Sequence, residues 1–161
     1  MSRIKVMKNL EGNEIITFYR AKGKHGFLSC LYRKKLIFED REFDSAEHAY
    51  QFGKMRDKKT QEWVMKAPHP HLVSIVCHNL FSWDIVSGWS KMKVNRMYRV
   101  LKVKFSDIEL KEKLLATGNA ILIEKSKSDS FWGCGKNGKG KNMLGKLLMK
   151  VREELFKNIS I

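Results

Sequence analysis

Apolar positions along the chain follow two periodicities, and the switches between them set out the elements. Glu14–Arg20 (EIITFYR) and Leu36–Phe43 (LIFEDREF) are rich in β-branched and aromatic residues, which predicts two strands around the glycine-bearing loop Lys22–Ser29. From Ala46 the spacing turns helical, and helices are predicted over Ala46–Arg56, Thr60–Lys66 and His71–Leu80, with Pro68 and Pro70 marking a break. An aromatic loop, Phe81–Trp89, leads into Ser90–Phe105. There Val94, Met97, Tyr98, Leu101 and Phe105 form an apolar stripe, with Lys91, Arg96, Arg99 and Lys102 off it. Asp107–Ala116 predicts a short helix closed by Gly118. Ala120–Lys125 predicts a buried strand, and Asn142–Phe156 a last helix with Met143, Leu144, Leu147, Leu148, Val151 and Leu155 inward. Without repeats, linkers or low-complexity stretches, residues 1–161 are expected to form one mixed domain.

Composition adds a compartment and a partner class. Of 161 residues, 43% are hydrophobic, enough for a core and too many for a disordered chain. The opening residues MSRIKVMKNLEGNE hold no apolar signal segment, and no stretch approaches a membrane span; a soluble, cytoplasmic protein with no membrane partner is expected. Cys30, Cys77 and Cys134 are odd in number and lack CxxC spacing, which indicates neither a disulfide framework nor a zinc site. Lys and Arg number 32 against 17 Asp and Glu, a net charge of +15. Such an excess attracts polyanions, nucleic acid first among them, although lysines spread this evenly also simply solvate a surface.

The densest chemistry lies in Asp44–Lys54, DSAEHAYQFGK. With Asp44 or Ser45 as N-cap, Glu47, Gln51 and Lys54 share one helix face at i, i+4 and i+7, while Ala46, Ala49, Tyr50 and Gly53 form a second, mostly small one. A carboxylate, an amide and an ammonium on one stripe suit hydrolysis of a phosphorylated substrate. The same spacing also permits a capping box, because Glu47 falls at N3 if Asp44 is the cap.

Two nucleotide motifs appear and fail. Gly133-Cys134-Gly135-Lys136-Asn137-Gly138 matches GxGxxG, but only one helix follows it, so no βαβ unit can form around it. Read as a P-loop, the segment carries Gly140 where a Mg²⁺-binding hydroxyl belongs. What survives is a basic loop, Lys136, Lys139 and Lys141, running into a helix N-terminus near Asn142, an arrangement that favours phosphate. Just before it, in Ser128-Asp129-Ser130-Phe131-Trp132-Gly133, Trp132 offers a face for stacking a base and Asp129 an acid beside it. An Asp between serines is also a common turn former, and Trp89 fits either a second platform or the core.

Together these residues resemble the NADAR family, the NAD- and ADP-ribose-associated proteins that include riboflavin-biosynthesis-intermediate N-glycosidases. The resemblance rests on SAEHAYQ at Ser45–Gln51 with Lys54, on Trp89 before a helix ending in Lys104–Phe105, on LLATGNAILIEKSKSDSFWGCG at Leu114–Gly135, and on GKNMLGKLLMKVR at Gly140–Arg152. It runs from about Phe18 to Leu155. It implies a compact α+β fold, mostly helical around a small β-sheet. It also implies hydrolysis of an N-glycosidic bond between a ribose phosphate, or ADP-ribose, and a nitrogenous base, with ADP-ribosylated guanine in nucleic acid as one family substrate. Glu47 and Asp129 stand at the family's catalytic acids; Lys54, Trp89, Trp132, Gly133, Phe18, Tyr50 and Asn142 are carried over as substrate-binding; Lys136, Lys139 and Lys141 as phosphate-binding. Phe27-Leu28-Ser29-Cys30 lacks the Asn of the family's N-terminal loop, and His71–Trp89 matches poorly.

No cofactor and no metal are expected: Glu47-His48 is not an HExxH motif, and His69 and His71 have no third ligand. The expected partner is a ribose-phosphate or ADP-ribose conjugate, free or carried on DNA or RNA. A non-catalytic basic module binding nucleic acid or ADP-ribose is the alternative.

Overall fold

The computed structural model describes residues 7–9 and 12–159, so most of the opening segment lies outside it. The chain divides into two compact units. One joins the described residues up to Ser29 with those from Asp107 onward, and the other is Cys30–Ser106. Each unit mixes helix and strand, and the expected α+β class is the one observed.

In the first unit, β1 (Met7–Lys8) pairs antiparallel with β2 (Glu14–Phe18). Strand β2 pairs parallel with β5 (Ile121–Glu124), setting Ile16 against Leu122 and Phe18 against Glu124. Alternation puts Ile16, Phe18 and Leu122 in the core. The short β1 went unread because two residues carry no periodicity. Helix α5 (Ile108–Leu115) is capped by the Asp107 carboxylate, which accepts from the Leu110 N–H at 3.1 Å. It stops before Gly118, which takes a left-handed φ of 54°. Helix α6 (Met143–Ile159) packs on β5 and buries Leu144, Leu147, Leu148 and Val151 as the pattern predicts. Its buried Arg152 donates to Thr117 Oγ1 at 2.7 Å and to the Ala120 carbonyl at 2.8 Å, tying α6 to the approach of β5.

In the second unit, the single strand expected over Leu36–Phe43 is a hairpin, β3 (Arg33–Phe38) and β4 (Arg41–Ser45). Its two turn residues, Glu39 and Asp40, both take positive φ (51° and 60°). Such turns usually advertise themselves as Asn-Gly or Asp-Gly, and Glu-Asp gives no such signal. The turn is held by tertiary contacts: each Glu39 carboxylate oxygen sits 3.0 Å from an arginine of a later helix, Arg96 or Arg99.

Helix α1 (Ala46–Phe52) ends earlier than the predicted Arg56. Arg96 is the reason. Its guanidinium takes the Ala49 carbonyl, through Nε at 3.2 Å and Nη2 at 2.6 Å, and its Nε also reaches the Tyr50 carbonyl at 3.3 Å. A side-chain cation thus satisfies the helix's last acceptors. Gly53 lies flat against that guanidinium, where a Cβ would collide with it. Helices α2 (Lys58–Met65) and α3 (Pro70–Asn79) follow, α2 capped by Asp57 and α3 opened by Pro70 at its first turn.

Helix α4 (Trp89–Lys104) corrects the predicted stripe: Met97, Leu101 and the following Phe105 are buried, but Val100 and Lys104 join them while Val94 and Tyr98 stay half-exposed. The Lys104 ammonium lies 5.8 Å from the Tyr32 ring centroid and 5.1 Å from that of Phe105. Burial pushes its pKa down to about 8.

Candidate active site

The N-cap decides how Glu47 is read. Ser45, not Asp44, caps α1, its hydroxyl accepting from the His48 N–H at 3.3 Å and lying 2.8 Å from His48 Nδ1. Glu47 is therefore at N2 and closes no capping box. It points inward with 8% of its surface exposed. Gln51, one turn on, donates from Nε2 to Glu47 Oε1 at 2.8 Å.

A buried carboxylate needs compensation, which here comes from the Gln51 hydrogen bond and from neighbouring groups that act on its charge. Burial drives the Glu47 carboxyl above the ordinary carboxylate range; the Gln51 hydrogen bond, the charge of His78, a hydrogen bond with the Ser74 side chain, and the Lys54 ammonium oppose it. Lys54, also buried, is lowered chiefly by burial, against Cys77 and Glu47. The fully buried Cys77 thiol is pushed up to about 12, mainly by burial, and stays protonated at neutral pH. His78 Nδ1 lies 2.9 Å from the Ser74 carbonyl one turn earlier.

The expected Glu47, Gln51 and Lys54 are thus joined by three residues that the sequence reading missed: Ser74, Cys77 and His78. All three lie on α3, the segment matching the family least. The available signal was their i, i+3, i+4 spacing, which places Ser74, Cys77 and His78 on one face of a helix through the apolar stretch Leu72–Cys77. One polar atom in the cluster has no partner: Gln51 Oε1, on a side chain 1% exposed. A buried carbonyl in that condition is an acceptor waiting for a donor.

Tyr50 and Trp89, expected to touch substrate, form a buried aromatic pair with centroids 5.1 Å apart and planes at 52°. With Trp89 only 9% exposed, neither ring offers a base an open face. The pair packs α1 against the start of the helix that Trp89 opens.

In the first unit, the glycine loop is corrected in its physics. The backbone N–H groups expected to cradle phosphate are already taken: Asn142, Met143 and Leu144 donate to the carbonyls of Gly133, Phe131 and Trp132 at 3.0, 3.0 and 3.1 Å. Asn142 is committed as well. Its Oδ1 accepts from the Glu124 N–H at 3.0 Å and its Nδ2 donates to the Leu122 carbonyl at 2.8 Å, so the side chain serves β5 rather than a ligand. A Cβ at Gly140 would meet the loop's own backbone at Gly133 and Cys134, and one at Gly133 would crowd the Ser126 side chain and the Glu124 carbonyl of β5. Lys136, Lys139 and Lys141 are exposed, with the Lys141 ammonium 5.4 Å from the Phe131 centroid.

Asp129 folds the same loop: Oδ1 accepts from the N–H groups of Phe131 and Trp132 at 2.8 and 2.7 Å. Trp132 is half-buried, its ring edge-on to Phe131 at 5.0 Å. Phe18 is core, and Gly133 is buried. Among the described residues no group of three or more His, Cys, Asp or Glu is placed to hold a metal, and no helix is long and apolar enough to cross a membrane.

These features define a mixed α+β protein with a buried acid on a short, serine-capped helix and a tryptophan-bearing glycine loop before its last helix. The chain matches the NADAR domain over residues 17–156 and belongs to that family. It is 32% identical over 154 residues to N-glycosidase YbiA of Shigella flexneri, covering 95% of this chain and 96% of that one. To riboflavin biosynthesis protein VVA0006 of Vibrio vulnificus it is 36% identical over 141 residues, 87% of this chain but 38% of that longer protein. The NMR structure of the E. coli protein YbiA matches it with a TM-score of 0.81 at 32% identity, over 97% of this chain and 91% of that one.

Proposed function

We propose that the chain is an N-glycosidase, a hydrolase that cleaves the C1′–N bond between a ribose phosphate or ADP-ribose moiety and a nitrogenous base, with Glu47 as its central carboxylate. The observation that carries this reading is the buried Glu47, hydrogen-bonded by Gln51 and with Lys54 acting on its charge, rather than used as a cap. The names of its relatives agree in reaction class.

The chemistry asks for such a group. As the C1′–N bond breaks, its electron pair leaves with the base nitrogen, which takes up a proton from solvent, and positive charge grows on the ribose. A fixed carboxylate in a water-poor site stabilises that charge. A water oxygen then bonds to C1′, and Glu47 accepts its proton. A carboxyl held above its ordinary range is closer to neutrality and so better matched to that transfer than a solvated one. Gln51 fixes the rotamer through its hydrogen bond, and Lys54 supplies positive charge toward a phosphate-bearing substrate. Asp129 remains a candidate second carboxylate through Oδ2, and Trp132 a candidate base contact.

The test is incubation of the protein with an N-ribosylated riboflavin precursor, NAD, ADP-ribose and an ADP-ribosylated guanine oligonucleotide, with mass spectrometry for released base. Release from at least one, absent in Glu47→Gln, supports the reading. Binding without release from any of the four favours a non-catalytic module.

A further inference from the structure

The second unit carries an aromatic array that the reaction does not use. Trp83 is 66% exposed and Trp63 54%, with Phe81 between them at centroid distances of 6.1 and 5.4 Å. Exposed tryptophans this close are uncommon on a chain whose other aromatics are mostly packed, and clustered apolar exposure marks a contact surface.

The array is held rigid. Trp83 donates its indole N–H to the Leu80 carbonyl at 3.1 Å, so the ring is fixed and its polar atom satisfied internally. Asp84, fully buried, accepts from the Asp57 N–H at 3.2 Å, and its backbone carbonyl accepts from the Arg56 N–H at 3.1 Å. These bonds place Trp83 at the wall of a groove of about 680 Å³ that Arg56, Lys58 and Lys59 also line. The acids there are engaged. Asp57 caps α2 through Thr60, and Asp84 faces Arg56 at 3.5 Å from beneath the surface. Lys58 and Lys59 are exposed. Lys59 stands one turn before Trp63 on α2, so cations flank both indoles.

We propose that this face, Trp63, Phe81 and Trp83 with Arg56, Lys58 and Lys59, is a docking site for single-stranded nucleic acid. Flat rings stack unpaired bases without regard to sequence, and the flanking cations follow the phosphates. Charge selects this occupant over others. A second copy of the chain is itself strongly basic, with a net charge of +15, and is repelled rather than attracted. A duplex keeps its bases stacked and gives the indoles nothing to bind. The site is separate from the Glu47 cluster and does not depend on the reaction proposed there, so an unmodified strand tests it.

The experiment is fluorescence anisotropy of a labelled, unmodified 12-nucleotide oligothymidine against the wild type across a salt series. Trp83→Ala is expected to weaken binding roughly 5- to 100-fold, the effect of losing one stacked base, while Trp83→Phe retains most of the affinity. The double variant Lys58→Gln/Lys59→Gln should lower the slope of log affinity against log salt by roughly 0.7 per lysine that meets a phosphate. Duplex of the same sequence should bind more weakly and ignore Trp83→Ala. Thermal melts of both tryptophan variants, exposed as the rings are, confirm folding. The proposal is overturned if single strand binds Trp83→Ala and Trp63→Ala as tightly as wild type. It is equally overturned if Trp83→Ala instead abolishes self-association in sedimentation, or attachment to anionic vesicles, while leaving oligonucleotide affinity unchanged.

Discussion

Gln51 donates to Glu47 at 2.8 Å while its own carbonyl, buried beside that bond, meets no donor. The amide orients the acid, and its buried carbonyl is left with an acceptor to satisfy. Replacing Gln51 by Leu removes a hydrogen bond that favours the charged carboxylate, so the Glu47 pKa rises further. The acid limb of the pH–rate profile should move upward and turnover should fall, since a bond to a charged group is worth about 1.5–3 kcal/mol. An unmoved acid limb in the variant would separate Gln51 from the reaction.

Glu47→Gln tests the acid itself. Loss of the carboxylate should lower turnover on the order of 100-fold or more with the fold intact. Stability should move the other way. The folded-state pKa is raised above the unfolded one, so the ionised carboxylate destabilises the protein at neutral pH, and that penalty disappears as pH falls through the raised value. The variant should therefore melt higher than wild type at pH 7, with the gap closing toward pH 4. Wild-type turnover combined with a lower melting point would return Glu47 to a purely structural role.

Lys104 gives a pH effect of the opposite sense. Its ammonium is pushed down to about 8 in the folded state, whereas the unfolded chain keeps its proton to about 10.5. Between those values the unfolded state binds more protons, so stability rises with pH across that window. Chemical unfolding of wild type from pH 7.5 to 10.5, compared with Lys104→Met, should show a gain of about 3 kcal/mol present only in the wild type. Parallel curves would mean that Lys104 holds its proton normally.

Gly53→Ala sets a Cβ into the Arg96 guanidinium. Arg96 must then leave the Ala49 and Tyr50 carbonyls, which costs about 1–2 kcal/mol and loosens the C-terminal end of the helix carrying Glu47. Urea denaturation reads the first effect. The second should appear as a fall in turnover greater than the change in substrate affinity.

Asn142→Ala strips the Leu122 carbonyl and Glu124 N–H of their partner at once. A loss of about 2–4 kcal/mol is expected, with accelerated amide exchange at Glu124 as the local signature. Slow exchange there in the variant would show that another group has taken over.

The strongly periodic helices were legible in the sequence because one buried face repeats over several turns, as at Leu144, Leu147, Leu148 and Val151. The hairpin was not, because its turn is held by Arg96 and Arg99 from a helix some fifty residues later, and tertiary ion pairs leave no local pattern. Lys104 was missing from the expected buried stripe for a related reason: a lysine carries no local sign that aromatic rings surround it. For the candidate site, Glu47, Gln51 and Lys54 were visible as one stripe on one helix. Ser74, Cys77 and His78 come from a different helix, and side chains that meet across space share no spacing. The phosphate cradle failed because a sequence displays glycines and lysines but not the carbonyls of residues 131–133, which reach the N–H groups first.

The two bonds of Asn142 also bear on how this protein behaves among copies of itself. Strand β5 is an outer strand of its sheet, and Ile121-Leu122-Ile123 is the kind of short, uncharged, β-prone run on which foreign strands add. By imitating the next strand's backbone with one side-chain amide, Asn142 occupies an acceptor and a donor that an incoming strand would need. The Cys134 N–H, bonded to the Glu124 carbonyl at 2.9 Å, occupies a third group. A loop that looked like a nucleotide motif is thus a guard against edge-to-edge aggregation, one that works without placing a charge or a proline in the strand itself.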